Sequence, residues 1–201
     1  MRPIEKTLSI LKRVKDIYET VYFSATTFTY DRNWVMELCE RMIQEKCSLP
    51  WRSDTRVDFL DEELLELMKR SGLKQLSVGV ESLSDRVLAK VNKRQTAQDV
   101  LQTIQKCKKM GVNVKALLIL GIPGQTLEDV VETQKIIEDM SIPYRWKEYS
   151  PIRELHEKDV RKEDISTELD LFSRNRFHVN SIEGLSPEKY MELLFPKGYV
   201  R

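Results

Sequence analysis

The chain has 201 residues, enough for one domain with a sizeable core. Hydrophobic residues make up 41% and charged residues 32%, and Lys+Arg 33 against Asp+Glu 32 leaves almost no net charge, so nothing global draws the chain to nucleic acid or acidic lipid. No stretch approaches the roughly 20 apolar residues of a membrane span. The N-terminus lacks an apolar signal core, and three widely spaced cysteines make no disulfide framework, so a cytoplasmic location is expected.

Residues 3–17 carry Ile4, Leu8, Leu11 and Val14 at helical spacing. Thr20 to Ser24 reads as a short buried strand. Asp31 can cap a helix bearing Trp34, Val35, Leu38 and Met42 on one side. Trp51 to Val57 reads as the next strand, and Asp61 starts a helix that Gly72 closes. Gln75 to Val80 is a strand running into Ser82. Ser82 with Asp85, Thr96 with Asp99 and Thr126 with Asp129 share the spacing of a capping box. Between the last two lies the apolar strand Val112 to Leu120, and Tyr144 to Tyr149 ends the series.

The order α-β-α-β-α-β-α-α-β-α-β predicts a parallel sheet with right-handed crossovers, its ligands at the C-terminal strand ends. Residues 1–150 are expected to form this domain. Residues 151–201, with a charge-rich run at Lys158 to Glu168 and a short helix starting at Ser186-Pro-Glu-Lys, are expected to pack on it as a C-terminal extension with a helical tail.

Four segments end strands in order: Val21 to Thr29, Trp51-Arg-Ser-Asp-Thr-Arg56, Ser77-Val-Gly-Val-Glu-Ser82 and Ile119-Leu-Gly-Ile-Pro-Gly124. Together they resemble the second to fifth strand ends of a radical S-adenosylmethionine (SAM) partial (β/α) TIM-like barrel, in the group that often carries an N-terminal cobalamin-binding domain. The resemblance covers about Tyr18 to Asp139. It implies SAM held against a [4Fe–4S] cluster, whose electron cleaves SAM to a radical that abstracts hydrogen from substrate. It also implies three thiolates in a Cys-x3-Cys-x2-Cys loop after the first strand.

The sequence departs from that pattern. Cys39 and Cys47 are separated by seven residues, and Cys107 is distant; all three read as core residues within or beside helices. The first strand and the cluster loop are expected to be missing from these residues. Ala25 and Thr26 stand where related proteins place acidic residues for the SAM amino group, and Gln125 stands where the family often has Glu. Radical initiation by this chain alone is therefore not expected.

By the same resemblance, Arg56, Glu81, Lys93, Gly121, Pro123 and Gly124 are the candidate cofactor-binding residues. Arg56 offers a fork of donors for a carboxylate or a ribose-side group, with a salt bridge to Asp58 or Asp54 as its structural alternative. Glu81 could accept ribose hydroxyls, or only serve the entry to a helix. Lys93 and Thr96 lie on the Asn92-to-Thr96 loop, where Thr96 is first a cap. Gly121, Pro123 and Gly124 let backbone approach an adenine, or make a tight turn. His156 and His178, 22 apart, have no metal-site neighbours. Two roles are open: a degenerate SAM pocket serving a partner, or part of an active enzyme whose cluster segment is on another polypeptide. The exposed sheet edge would pair with a second copy or with a cluster-bearing partner. Nucleic acid and membrane are not expected partners.

Overall fold

The computed structural model describes residues 2–91, 93, 95–149, 182 and 184–194. Their elements run α1 (Ile4–Val14), β1 (Val21–Phe23), α2 (Arg32–Gln44), β2 (Trp51–Arg56), α3 (Glu62–Arg70), β3 (Leu73–Glu81), α4 (Asp85–Lys90), α5 (Ala97–Lys109), β4 (Asn113–Leu120), α6 (Leu127–Asp139), β5 (Tyr144–Glu148) and α7 (Pro187–Leu194). Short 3-10 turns at Phe28–Tyr30 and Val57–Phe59 follow β1 and β2. The five strands are all parallel, in the order β1-β2-β3-β4-β5. They make a curled half-barrel, the expected partial (β/α) TIM-like fold. Each strand joins its neighbour through at least one helix, as parallel pairing requires.

The period-2 side-chain pattern sets the two faces of the sheet. Trp51, Ser53 and Thr55 of β2, Leu76 and Val78 of β3, and Val114, Ala116, Leu118 and Leu120 of β4 are buried on the helix-covered side. Leu38 and Met42 of α2, Leu64 and Met68 of α3, Ile104 of α5 and Val130 of α6 meet them in one core. Cys39, Cys47 and Cys107 belong to that core. The opposite face, inside the curl, carries Tyr22, Arg52, Asp54, Arg56, Ser77 and Lys115, from adjacent register positions.

Local chemistry sets the helix starts. Asp31 and Asp61 accept from the backbone N–H of Trp34 and Leu64 at 3.0 and 2.8 Å. Thr96 with Asp99, and Thr126 with Asp129, form reciprocal capping boxes. The third box expected from spacing, Ser82 with Asp85, does not form. Ser84 is the N-cap of α4. Ser82 Oγ accepts from Ser84 N at 3.2 Å and lies 3.4 Å from the Thr133 hydroxyl, while Asp85 accepts from Ala97 N at 2.7 Å. Ser82 is fully buried against α6, so a tertiary contact takes the hydroxyl that the local motif would use.

Packing extends past β5 to α7, where Tyr190 and Leu193 are buried and the Tyr190 hydroxyl donates to the Glu148 carboxylate. Pro187 opens this helix, as the sequence indicates. His156, His178, the Lys158-to-Glu168 run and the segment from Ser150 to Arg153 lie outside the described residues.

Candidate functional site

β2, β3 and β4 end side by side, so their last residues converge. Arg56 pairs in register with Gly79, and Glu81 with Leu118. The β3 register slips between Gly79 and Glu81, and Glu81 has φ +63°, a left-handed conformation uncommon outside glycine. The carboxylate of Glu81 folds back over Gly79. A Cβ on Gly79 would lie 2.7 Å from Glu81 Oε1 and 3.2 Å from Lys93 Nζ, so any side chain here would displace the ends of that pair. Lys93 donates to Glu81 at 2.7 Å, with side chains only 11% and 13% exposed. A held pair beside a strained backbone is the arrangement that functional sites retain at some cost in stability.

Arg56 reaches Asp58 with both arms of its fork, 2.9 Å from Nε and 2.7 Å from Nη2. This is the salt bridge that the sequence offers as the alternative role of Arg56. Donating to Asp58 raises the Arg56 pKa, and accepting from Arg56 holds the Asp58 carboxyl below its usual range. Arg56, Asp58, Glu81 and Lys93 thus form one cluster of alternating charge.

Gln95 completes the cluster and is not singled out by sequence. Its Nε2 is 3.4 Å from the Gly79 carbonyl, and its Oε1 is buried with no hydrogen-bond partner. A buried acceptor without a donor costs about 1–3 kcal/mol, which a ligand hydroxyl would recover. The signal was its place in the loop beside Lys93, but a Gln between two charged residues and a cap has no distinguishing chemistry until its burial is known.

Gly121, Pro123 and Gly124 make the turn at the end of β4. Gly121 is buried at φ +89°, and Gly124 is exposed at φ +77° beside exposed Pro123. Gln125 Oε1 accepts from Gly121 N at 2.8 Å and Ile122 N at 3.3 Å, while its Nε2 donates to Ile119 O at 3.2 Å. A carboxylate could accept those two bonds but not donate the third, which accounts for an amide at this position. Arg86 of α4 braces the turn, donating to Gly124 O at 2.6 Å and pairing with Asp129 at 2.5 Å. The structure therefore gathers Arg56, Glu81 and Lys93 into one cluster and places the glycine turn at the adjoining strand end.

The cysteines are placed differently. Cys39 is in α2, Cys47 follows it and Cys107 is in α5, all fully buried. Burial pushes the thiols of Cys39 and Cys107 up to about 11. Buried on two helices and beside one of them, these cysteines do not make the Cys-x3-Cys-x2-Cys loop that the resemblance implies. Among the described residues no group of His, Cys, Asp and Glu is placed to hold a metal. Iodoacetamide at pH 8 should leave Cys39 and Cys107 unmodified in the folded chain and label both after denaturation. Mass spectrometry showing native-state labelling would contradict this burial.

A cavity of about 800 Å³ lies not at these strand ends but along the open edge of β1. It is lined by Thr7, Ile10, Leu11 and Val14 of α1, by all of β1, and by Ser24 to Phe28. Ala25 and Thr26, noted for their lack of charge, are part of this lining. Among the described residues the exposed large hydrophobics are Ile17, Tyr18, Tyr22, Tyr30 and Val131; Tyr22 and Tyr30 line this cavity, and Ile17 and Tyr18 lie in the turn that leads into β1. Among the described residues β1 has no strand paired on its outer side, and apolar side chains flank it.

The sequence model of the Radical SAM superfamily matches residues 1–137. An uncharacterized methyltransferase of Pyrococcus horikoshii is 32% identical over 143 residues, 71% of this chain and 31% of that protein. An anaerobic magnesium-protoporphyrin IX monomethyl ester cyclase of Rubrivivax gelatinosus is 34% identical over 126 residues, 61% of this chain and 23% of that protein. The chain thus spans less than a third of the length of these two relatives. In three dimensions it is similar to the radical SAM methyltransferase TsrM from Kitasatospora setae, solved with cobalamin and a [4Fe–4S] cluster bound. The TM-score is 0.66 at 14% identity, covering 74% of this chain and 31% of that one, a likeness of fold. With strand order, strand-end residues and a family match over most of its length in agreement, the chain belongs to the Radical SAM superfamily.

Proposed function

We propose that this chain is the SAM-holding part of a radical SAM protein and that a cluster-bearing polypeptide segment completes it at the β1 edge. The observation that carries the SAM site is the convergence at the β3 end of the Glu81–Lys93 pair with the unpartnered buried acceptor of Gln95. A ribose presents two adjacent hydroxyls, and Glu81 and Gln95 can accept from both. Arg56 is two strand positions deeper and can turn from Asp58 to a ligand carboxylate. The Gly121–Gly124 turn allows backbone to approach a flat base without a Cβ between them. When bound, SAM and a [4Fe–4S] cluster supply radical chemistry; the residues of this chain bind, orient and shield.

Support for the second part comes from the crossover rule. The strands advance in one direction, and α1 precedes β1 against the same core. A parallel strand joined to β1 through α1 by a right-handed crossover would lie on the open side of β1. The 800 Å³ cavity and its apolar border are on that side. A parallel strand seated there, carrying the cysteine loop beyond its C-terminal end, would bring that loop to the same end of the sheet as Glu81.

Calorimetric titration of the purified chain with SAM tests the pocket. Binding in the micromolar range is expected, weakened at least tenfold by Glu81→Gln. No heat at millimolar SAM would overturn the SAM reading. The DNA immediately upstream tests the edge: an in-frame Cys-x3-Cys-x2-Cys segment supports it, and unrelated sequence counts against it. A stable dimer by light scattering would assign the edge to a second copy instead.

A further inference from the structure

The backbone is strained where β3 ends. Ser82 N donates to Val80 O at 2.8 Å across a single residue, Glu81, whose φ is +63°. A bond from one residue back to the second before it, closed over a positive φ, is the strained form of the γ-turn. A glutamate holds such a conformation only where the surrounding structure over-determines it. The same turn folds the Glu81 carboxylate back to Lys93, so whatever holds the turn also holds that pair.

Two side chains fasten the segment after Glu81. Arg86 reaches Gly124 O and Asp129, but it is exposed, and an exposed ion pair contributes little. The other is Thr133 of α6, which is buried. It falls on the buried stripe of that helix, three residues after Val130 and four before Ile137, where the helical period by itself calls for an apolar side chain. A buried hydroxyl destabilises unless it is bonded, and this one is bonded to the end of β3. Thr133 Oγ1 accepts from Leu83 N at 3.1 Å and lies 3.4 Å from Ser82 Oγ, which accepts from Ser84 N at 3.2 Å. Ser82, Leu83 and Ser84 are thereby tied, directly or through one hydroxyl, to a residue in the middle of a regular helix. The strained residue immediately precedes them.

We propose that Thr133 is a positioning residue of the ligand site, a role that rests on the SAM reading above. It touches no ligand. Its hydroxyl fixes the backbone that follows Glu81, keeps Glu81 in the left-handed conformation, and so holds the carboxylate where the ribose hydroxyls meet it. Without the hydroxyl, Leu83 N loses its acceptor and the turn relaxes toward an ordinary negative φ. The Glu81 carboxylate then leaves its place over Gly79 and its bond to Lys93. The N-terminus of the same helix, with the Thr126–Asp129 box, follows directly on the Gly121–Gly124 turn. One helix therefore sets the ends of both β3 and β4 that the SAM reading uses.

SAM titration by calorimetry and urea unfolding of Thr133→Val, Thr133→Ala and Thr133→Ser test this on the full chain. Valine and alanine both remove the hydroxyl, so either variant that unfolds with the unsubstituted slope carries the test. In that variant SAM affinity should fall about tenfold. Amide exchange at Ser82 and Leu83 should rise in the absence of ligand. Thr133→Ser keeps the hydroxyl and should bind SAM as the unsubstituted chain does. Placed in a Glu81→Gln background, Thr133→Val should weaken SAM by less than about threefold more, because Thr133 acts through that carboxylate. Unchanged SAM affinity in a folded Thr133→Val or Thr133→Ala chain would overturn the proposal, since the bond would then only fasten α6 to the sheet. Equal weakening with and without the Glu81 carboxylate, or failure of Thr133→Ser to restore binding, would overturn it too. The same series separates the two readings. If Glu81→Gln weakens SAM and the Thr133 variants do not, the SAM reading stands and the positioning role falls. If Glu81→Gln has no effect, or no SAM binds, both fall.

Discussion

Trp51→Ala is expected to cost about 3–5 kcal/mol of folding stability, read as a lowered midpoint in urea with an unchanged slope. Trp51 is fully buried at the start of β2. Its ring meets Phe23 of β1 edge-on at 5.3 Å and Phe28 at 5.3 Å, and its indole N–H points to Ser71 O at 3.2 Å. Truncation removes the largest side chain of this cluster and leaves a Ser71 carbonyl without its donor. Two further effects follow from position. Trp51 pairs in register with Val21, so β1 loses its support and the open edge should loosen before the rest of the sheet. Amide exchange at Tyr22 and Phe23 should therefore rise more than at Ala116 and Leu118. Trp51→Phe keeps most of the hydrocarbon and should lose far less. A uniform increase in exchange would mean that β1 is held by something other than this aromatic cluster.

The second large effect is on binding. Gly79→Ala places a methyl 2.7 Å from Glu81 Oε1. The atom in the way is the far end of a flexible side chain, so the strand accommodates the change and the carboxylate moves. Gly79 is in extended strand backbone, where alanine also restricts the unfolded chain, so stability should change by less than about 1 kcal/mol. The bond from Lys93 to Glu81 cannot survive at 2.7 Å, and SAM affinity should fall at least tenfold, about 1.4 kcal/mol. Unchanged SAM affinity in a folded Gly79→Ala variant would show that the geometry of Glu81 is irrelevant to the ligand. Comparison with Glu81→Gln separates loss of position from loss of charge.

Much of the fold was legible in order and type. The alternation of apolar strands with capped helices predicts every element from α1 to β5, because each buries its own face by its own period. Thr96 with Asp99 and Thr126 with Asp129 were readable as caps because both partners of each box lie within one turn. Ser82 with Asp85 has the same spacing and forms no box, because Thr133, fifty-one residues away, competes for the same hydroxyl. Strand ends are set less locally: Val57 belongs to a 3-10 turn rather than to β2.

For the site, Arg56, Glu81 and Lys93 could be named from the resemblance, and their chain positions placed them at neighbouring strand ends. That Lys93 closes on Glu81, that Arg56 spends its fork on Asp58, and that Gln95 keeps a buried acceptor unpartnered depend on side-chain burial and on a one-residue slip in β3. None of these is a property of a short segment.

The sequence by itself determined the element order, the parallel sheet, the scattered cysteines and the family, because these rest on local periodicity, capping chemistry and ordered strand-end motifs. Tertiary structure alone decided which charges face each other and which surface stays open. Lys115, Arg145 and Lys147 are scattered among hydrophobic residues in the chain and read as the solvated positions of ordinary strands. Parallel register and curl put them with Arg52 on one inner face, and the uncovered edge of β1 leaves Tyr22 and Tyr30 around a groove. The physical reason is the same in both cases: burial and charge pairing are set by contacts between residues far apart in the chain, which no local pattern encodes.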